Sequence, residues 1–284
     1  MIKWPPLPAI RIHPVFWIVL GAGVLTGRFY EVATVFFIVI LHEVGHLAAA
    51  KAFHWRVASI DLLPFGGVMK VDEVGTRPIR EELIVILSGP LQHLWLPAVS
   101  FLLRLTPFWN PVNHALFMDR NWMILAFNML PVWPLDGGKL LLLALSRALP
   151  YRRAYRITLV WSAVMLGALT TWMAIKAPYS VNFMLIGGFL AFAIYKEWTD
   201  QRYIFLRFLL ARWNRSGSAA GPPRTITVPA EAPFWRVFDQ FYKDATHRIK
   251  VRGYGSMHTI EERAFLDAFF SGRFNGRRVG DLFR

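Results

Sequence analysis

Residues 32–53 read VATVFFIVILHEVGHLAAAKAF. One helix of this length crosses the roughly 30 Å hydrocarbon layer of a bilayer, which takes about 20 residues. Inside the run lies His42-Glu43-Val44-Gly45-His46. On a helix, positions i and i+4 share a face, so both imidazoles can reach one metal ion. Glu43 then lies beside the metal, placed to take a proton from water. Ionisable groups at membrane depth are costly and are kept there for function. The bland alternative is a polar cluster satisfied by neighbouring helices. The stretch predicts a membrane helix carrying a metal-dependent hydrolytic site.

Working outward, further apolar stretches lie at residues 14–30, 83–105, 115–130, 157–175 and 181–198. The stretch at 115–130 is short and runs into Pro131, Pro134, Gly137 and Gly138 before apolar residues resume at 140–149. It reads as a broken helix, which is tolerated at membrane depth only where it lines a protein cavity. Basic residues are about three times as numerous on one set of loops, including Lys51, Arg56, Lys70, Arg152 and Arg153, as on the other, with Arg28, Arg104, Arg120 and Lys176. The positive-inside rule then puts both termini of a multi-pass membrane protein in the cytoplasm.

Composition agrees. The chain of 284 residues is 55% hydrophobic with 18% charged residues, against about 25% charge in soluble domains. The net charge of +14 falls beside apolar runs, so it reads as topology signals and contacts with anionic lipid headgroups rather than a nucleic-acid footprint. There is no cysteine, which excludes disulfides and thiolate metal ligands. The first apolar run follows Trp4, Pro5, Pro6 and Pro8 without a cleavage site, so no cleavable signal peptide is expected.

The expected organisation is a membrane domain over 1–200, a basic juxtamembrane segment and linker over 201–224, and a soluble module over 225–284. The juxtamembrane part either lies along the inner leaflet as an interfacial helix or continues the sixth span. Strands are predicted at 225–228 and 248–252, and helices at 234–242 and 261–270. The fold class is thus an α-helical polytopic membrane protein of six transmembrane helices, one broken, with a small C-terminal α/β domain.

A catalytic zinc site wants three protein ligands and one open position. Asp136 sits in Asn128-Met-Leu-Pro-Val-Trp-Pro-Leu-Asp-Gly-Gly138, where prolines and glycines free the backbone from helix geometry. It is the candidate third ligand; its alternative role is to cap the helix from Gly137. His13 and His54 read as interfacial residues at span ends. His93 is either a polar helix contact or a neighbour of the site, and His114, His247 and His258 carry no signal.

HEVGH in one span and LPVWPLDGG in a later broken one resemble the site-2 protease family of intramembrane zinc metalloproteases. With IHPVFW at 12–17, LLPFGG at 62–67 and SGPLQH at 88–93, the resemblance covers about residues 10–150 and points to the family's sporulation branch. It implies one zinc per chain, held by His42, His46 and Asp136, with Glu43 activating water, and substrate positioned by Asn128 and Pro134. It further implies cleavage of a sigma factor precursor in the mother-cell membrane around the forespore, under inhibitory membrane partners. Many family members carry Asn where this chain has His93. Residues 62–71 are too apolar for a plain loop and read as a hairpin, either re-entrant or pairing through its edge near Phe65 and Gly66 with an extended substrate. The terminal module resembles a single CBS-type unit, which implies self-association into a homo-oligomer and a site for ATP. Two competing readings remain: a prenyl-protein type of zinc membrane protease, whose third ligand is a Glu, and a non-enzymatic scaffold or transporter with buried polar residues.

Overall fold

The computed structural model describes residues 9–12, 14–63, 66–71, 77–176, 181–214, 221–253, 256–271 and 278–283. These form a mostly helical chain in two units.

The first unit comprises Met1–Val74, Arg80–Pro131 and Leu135–Lys139. Its elements are β1 (Ala9–Ile12), α1 (Pro14–Leu25), α2 (Phe29–Ala52), β2 (Val57–Leu63), β3 (Gly66–Val71), α3 (Ile79–Leu103) and α4 (Pro111–Asn128), and it contains the start of α5 (Asp136–Ala148). Helix α2 ends in a Schellman motif. His54 takes the left-handed conformation at φ 56, and the N–H groups of His54 and Trp55 reach back to the carbonyls of Lys51 and Ala50, each at 2.9 Å. Trp55 and Ala50 also pack together beside Val85, which closes the turn with an apolar contact. Helix α4 starts four residues earlier than its apolar run suggests. Asn110 caps it, accepting from the Asn113 N–H at 2.7 Å, and Pro111 follows at the first helical position. Arg120, assigned to a loop by the charge distribution, is therefore helical, and it pairs with Glu31 of α2.

The exposure pattern of α2 is inverted relative to a soluble helix. Phe37, Ile40 and Val44 are exposed while His42, Glu43 and His46 are buried. Large apolar side chains pointing outward and ionisable ones inward suit hydrocarbon as the solvent. Among the described residues, α2, α3 and the helix at Tyr151–Lys176 are long and apolar enough to cross a membrane. Ile38 and Val39 of α2, Leu96 of α3, and Phe117 and Ile124 of α4 form a core that binds α2, α3 and α4 together. Gly45 lets α3 approach closely, since a Cβ there would come within 2.8 Å of the Gln92 side chain. The small sheet runs in the order β1-β2-β3, with β1 parallel and β3 antiparallel to β2.

The second unit comprises Gly75–Ile79, Val132–Pro134 and Leu140–Arg284. It holds α6 (Tyr151–Lys176), α7 (Val181–Asn214), β4 (Gly221–Pro229), α8 (Phe234–Phe238), β5 (Ala245–Gly253), β6 (Ser256–Glu261), α9 (Glu262–Phe270) and a short 3-10 turn at Val279–Phe283. Helix α7 has 34 residues and is about 51 Å long, well beyond a 30 Å hydrocarbon layer. The arginine-studded segment after Trp198 thus continues the preceding helix. The terminal module has the order β-α-β-β-α, with β5 central, β4 parallel to it and β6 antiparallel. Phe234, Phe238 and Phe265 stack edge and face within its core. The module is tied to the helices: the Tyr151 N–H donates to the Phe241 carbonyl at 2.9 Å, and Arg152 pairs with Asp239.

Candidate metal centre

Helix geometry puts His42 and His46 on one face of α2, and the break after α4 brings Asp136 to them. His42 Nε2 and His46 Nε2 lie 3.0 Å apart. Asp136 Oδ2 is 3.0 Å from the first and 3.1 Å from the second. All three side chains are buried. Asp136 opens α5, yet its carboxylate serves the histidines and, through Oδ1, the Lys139 ammonium at 3.2 Å. Gly137 permits the approach, since a Cβ there would overlap the carbonyl oxygens of Met129 and Leu130. At Gly89 on α3 a Cβ would overlap the imidazoles of both His46 and His42. Glu43 is buried beside them at 7% exposure.

The hydrogen bonds fix which nitrogens carry protons. His46 Nδ1 faces the Val85 carbonyl at 2.7 Å. A carbonyl only accepts, so Nδ1 is the protonated nitrogen and Nε2 of the neutral ring keeps its lone pair. For His42 the chain is longer. Asn121 donates its amide N–H to the His93 carbonyl at 3.0 Å, which turns its oxygen toward His93 Nδ1 at 2.9 Å. His93 Nδ1 must donate, so its Nε2 accepts from His42 Nδ1 at 3.1 Å. His42 Nε2 is left as a lone pair as well. Two imidazole lone pairs and a carboxylate oxygen therefore converge, and such acceptors repel unless a cation lies among them. Their spacing is close to the roughly 3.3 Å edge of a tetrahedron drawn at zinc–ligand distances of about 2.0–2.1 Å. The three residues can hold a metal ion, and two imidazoles with one carboxylate form a catalytic zinc donor set.

Asn128 ends α4 with its side-chain amide donating to the Ile124 carbonyl at 3.1 Å. Pro134 follows a cis bond from Trp133, whose N–H donates to Ser162 Oγ of α6 at 2.9 Å. Gly66 opens β3 opposite Leu63; Phe65 lies outside the described residues. His54 closes α2 rather than reaching the site, and His114 bonds Ser100 at 2.9 Å. Sequence reasoning left His93 open and did not single out Asn121. It also passed over Glu197 of α7, which receives the Tyr155 hydroxyl of α6. A polar side chain inside an apolar stretch was the available signal for Asn121.

A sequence profile of Peptidase family M50 matches residues 30–119, which contain both histidines and Glu43. The chain belongs to this family, the site-2 proteases, and is an intramembrane metalloprotease. Its full-length likeness is to Stage IV sporulation protein FB of Bacillus subtilis (strain 168), 36% identical over 284 residues and covering 99% of each chain. A zinc metalloprotease of Methanocaldococcus jannaschii is 31% identical over 149 residues, covering 49% of this chain and 42% of that one. The solved structure of the site-2 protease from Methanocaldococcus jannaschii shares the fold, with TM-score 0.55 and 23% identity over 69% of this chain and 94% of the other.

Proposed function

We propose that His42, His46 and Asp136 hold one zinc ion and that Glu43 is the general base of peptide-bond hydrolysis within the membrane. The convergence of Nε2, Nε2 and Oδ2 within 3.0–3.1 Å carries this reading. Zinc supplies Lewis acidity toward water and the scissile carbonyl. Glu43, one residue from His42 and held in a buried position, accepts the proton of the attacking water and returns it to the leaving amine. Lys139 pairs with the Asp136 oxygen that the histidines do not face.

The substrate proposed is a sigma factor precursor associated with the membrane, by likeness to the sporulation protein of Bacillus subtilis. The chain then acts in the mother-cell membrane around the forespore, subject to inhibitory membrane partners. Six spans, with residues 1–200 as the proteolytic domain and both termini cytoplasmic, are supported by the basic-residue asymmetry. Asn128 and Pro134 flank the broken span and are proposed to position substrate, as is Phe65, with β3, which Gly66 opens, offering a strand edge. For residues 225–284 the element order supports a CBS-type unit that pairs with a second copy. Arg248, Lys250 and Arg252 alternate on the exposed side of β5, which suits the phosphates of a nucleotide such as ATP.

The test is co-expression with candidate precursors. Glu43→Gln keeps the shape but cannot accept a proton, so cleavage is expected to fall by about a hundredfold or more while zinc content stays at one per chain. Cleavage by this variant at the wild-type rate overturns the mechanism, and a wild-type protein without zinc overturns the ligand set.

A further inference from the structure

The donor set needs two histidines from α2, yet a third imidazole and an amide are buried against it. His93 of α3 and Asn121 of α4 are both fully buried, at 0% exposure, and each spends its hydrogen bonds on one chain of contacts. Asn121 grips His93 at two points, its backbone carbonyl and its Nδ1. His93 Nε2 then meets His42 Nδ1 at 3.1 Å, with the rings edge-on at 61°. The backbone carbonyl is the fixed end of this chain, because it has no choice but to accept. Everything else follows from it in one direction, from Asn121 through His93 to His42.

We propose that His93 and Asn121 are positioning residues that lock His42 in its Nδ1–H form, so that its Nε2 lone pair always faces the metal. The proposal rests on the reading of His42 as a ligand. His46 reaches the same end by a different device, the Val85 carbonyl. Metal-binding histidines generally give their second N–H to a carboxylate, a carbonyl or water. Here a neutral imidazole takes that place, which adds no charge to the membrane interior. The arrangement also ties α2, α3 and α4 together at the depth of the site, so that the ligand's orientation depends on two neighbouring helices.

The experiment uses the full chain in detergent. Zinc retention is titrated against a chelator for the wild type, His93→Leu, His93→Gln and Asn121→Leu, with thermal unfolding as the check on folding. Gln offers an amide oxygen near the position of the lost Nε2; Leu offers no acceptor. His93→Leu is expected to weaken zinc retention by about 10–100-fold, the usual cost of losing such a partner, with Asn121→Leu in the same direction and His93→Gln within about threefold of wild type. Equal losses in His93→Leu and His93→Gln, or none in either, overturn the proposal. ¹⁵N spectra of histidine-labelled wild-type protein serve where a variant does not fold: His93 must show a protonated Nδ1 and a bare Nε2, and the reverse tautomer overturns the relay. If wild-type protein holds no zinc, the ligand reading fails, while the tautomer of His93 is still measured on its own.

Discussion

The joint between α7 and the terminal module hangs on Arg212, and removing its guanidinium will loosen the module measurably. Arg212 Nε and one terminal nitrogen lie 2.6 and 2.9 Å from the two oxygens of Glu262, and its other nitrogen reaches the carbonyls of Tyr242 and Lys243 at 2.8 and 2.9 Å. Glu262 also receives the Nδ1–H of His247 at 2.7 Å, whose Nε2 accepts from the Tyr242 N–H at 3.0 Å. Burial alone would raise the Glu262 pKa, but His247 and Arg212 outweigh it and hold the carboxyl down at about 2. Against an ordinary value of 4.5, that is about 3 kcal/mol of stability near neutral pH. Burial keeps His247 below its ordinary value despite the carboxylate, consistent with a neutral ring. Both shifts act in the same direction. As pH falls below 6.5 the unfolded chain takes a proton that buried His247 declines, and from 4.5 toward 2 it takes another that Glu262 declines, so acid destabilises the module. Arg212→Met keeps an unbranched apolar stem but removes the guanidinium that lies over Phe208 and Phe241, and leaves a buried carboxylate and the carbonyls of Tyr242, Lys243 and Ala245 short of donors. The expected cost is about 3–5 kcal/mol, read as a rise of a hundredfold or more in hydrogen exchange at the β5 amides of the full chain. The acid-labile step between pH 4.5 and 2 should shrink in the same variant. Exchange within threefold of wild type along β5, or an unchanged acid profile, refutes the role assigned to Arg212.

Three further outcomes follow from the site and the spans. Asp136→Asn is expected to lose most cleavage activity and to bind zinc far more weakly than any His93 variant, measured as zinc per chain after dialysis; retention at the wild-type level means the third ligand lies elsewhere. Gly89→Ala places a methyl against both imidazoles and is expected to lose zinc while keeping its far-ultraviolet helicity; a zinc-replete Gly89→Ala protein contradicts the close approach of α3. Reporter fusions after Arg153 and after Arg224 should read cytoplasmic and one after Lys176 external, and the reverse pattern sinks the proposed topology.

What the sequence revealed follows the range over which each cue acts. His42 and His46 are four residues apart on one helix, so their spacing alone places them together. Asp136 was legible because prolines and glycines mark the break, although its partners lie 90 or more residues away. The start of α4 was there to be read in Asn110-Pro111, a cap followed by proline, but the apolar run drew the boundary inward to Ala115. The segment after Trp198 was undecidable in principle: arginines interleaved with apolar residues serve an interfacial helix and a continuing one equally. Strand β1, four residues long, takes its place only through pairing with β2 some 50 residues on, a contact no local pattern announces.

His93 and Asn121 show where local reasoning stops and how far cost reasoning can carry it. Their contacts span 51 and 28 residues, and they depend on how α3 and α4 pack against α2, which residue spacing does not report. The same rule that marked His42 and His46 nevertheless applies to them. A polar side chain in a span must find partners there, because hydrocarbon offers none. With the proposed metal ligands already complete at three, a further buried imidazole has to serve a neighbour, and the neighbours able to use it are those proposed ligands. His93 touches His42, and the one direction of donation that Asn121 permits leaves the His42 lone pair aimed at Asp136. The burial cost of the third histidine is thus offset by the orientation it imposes on the first.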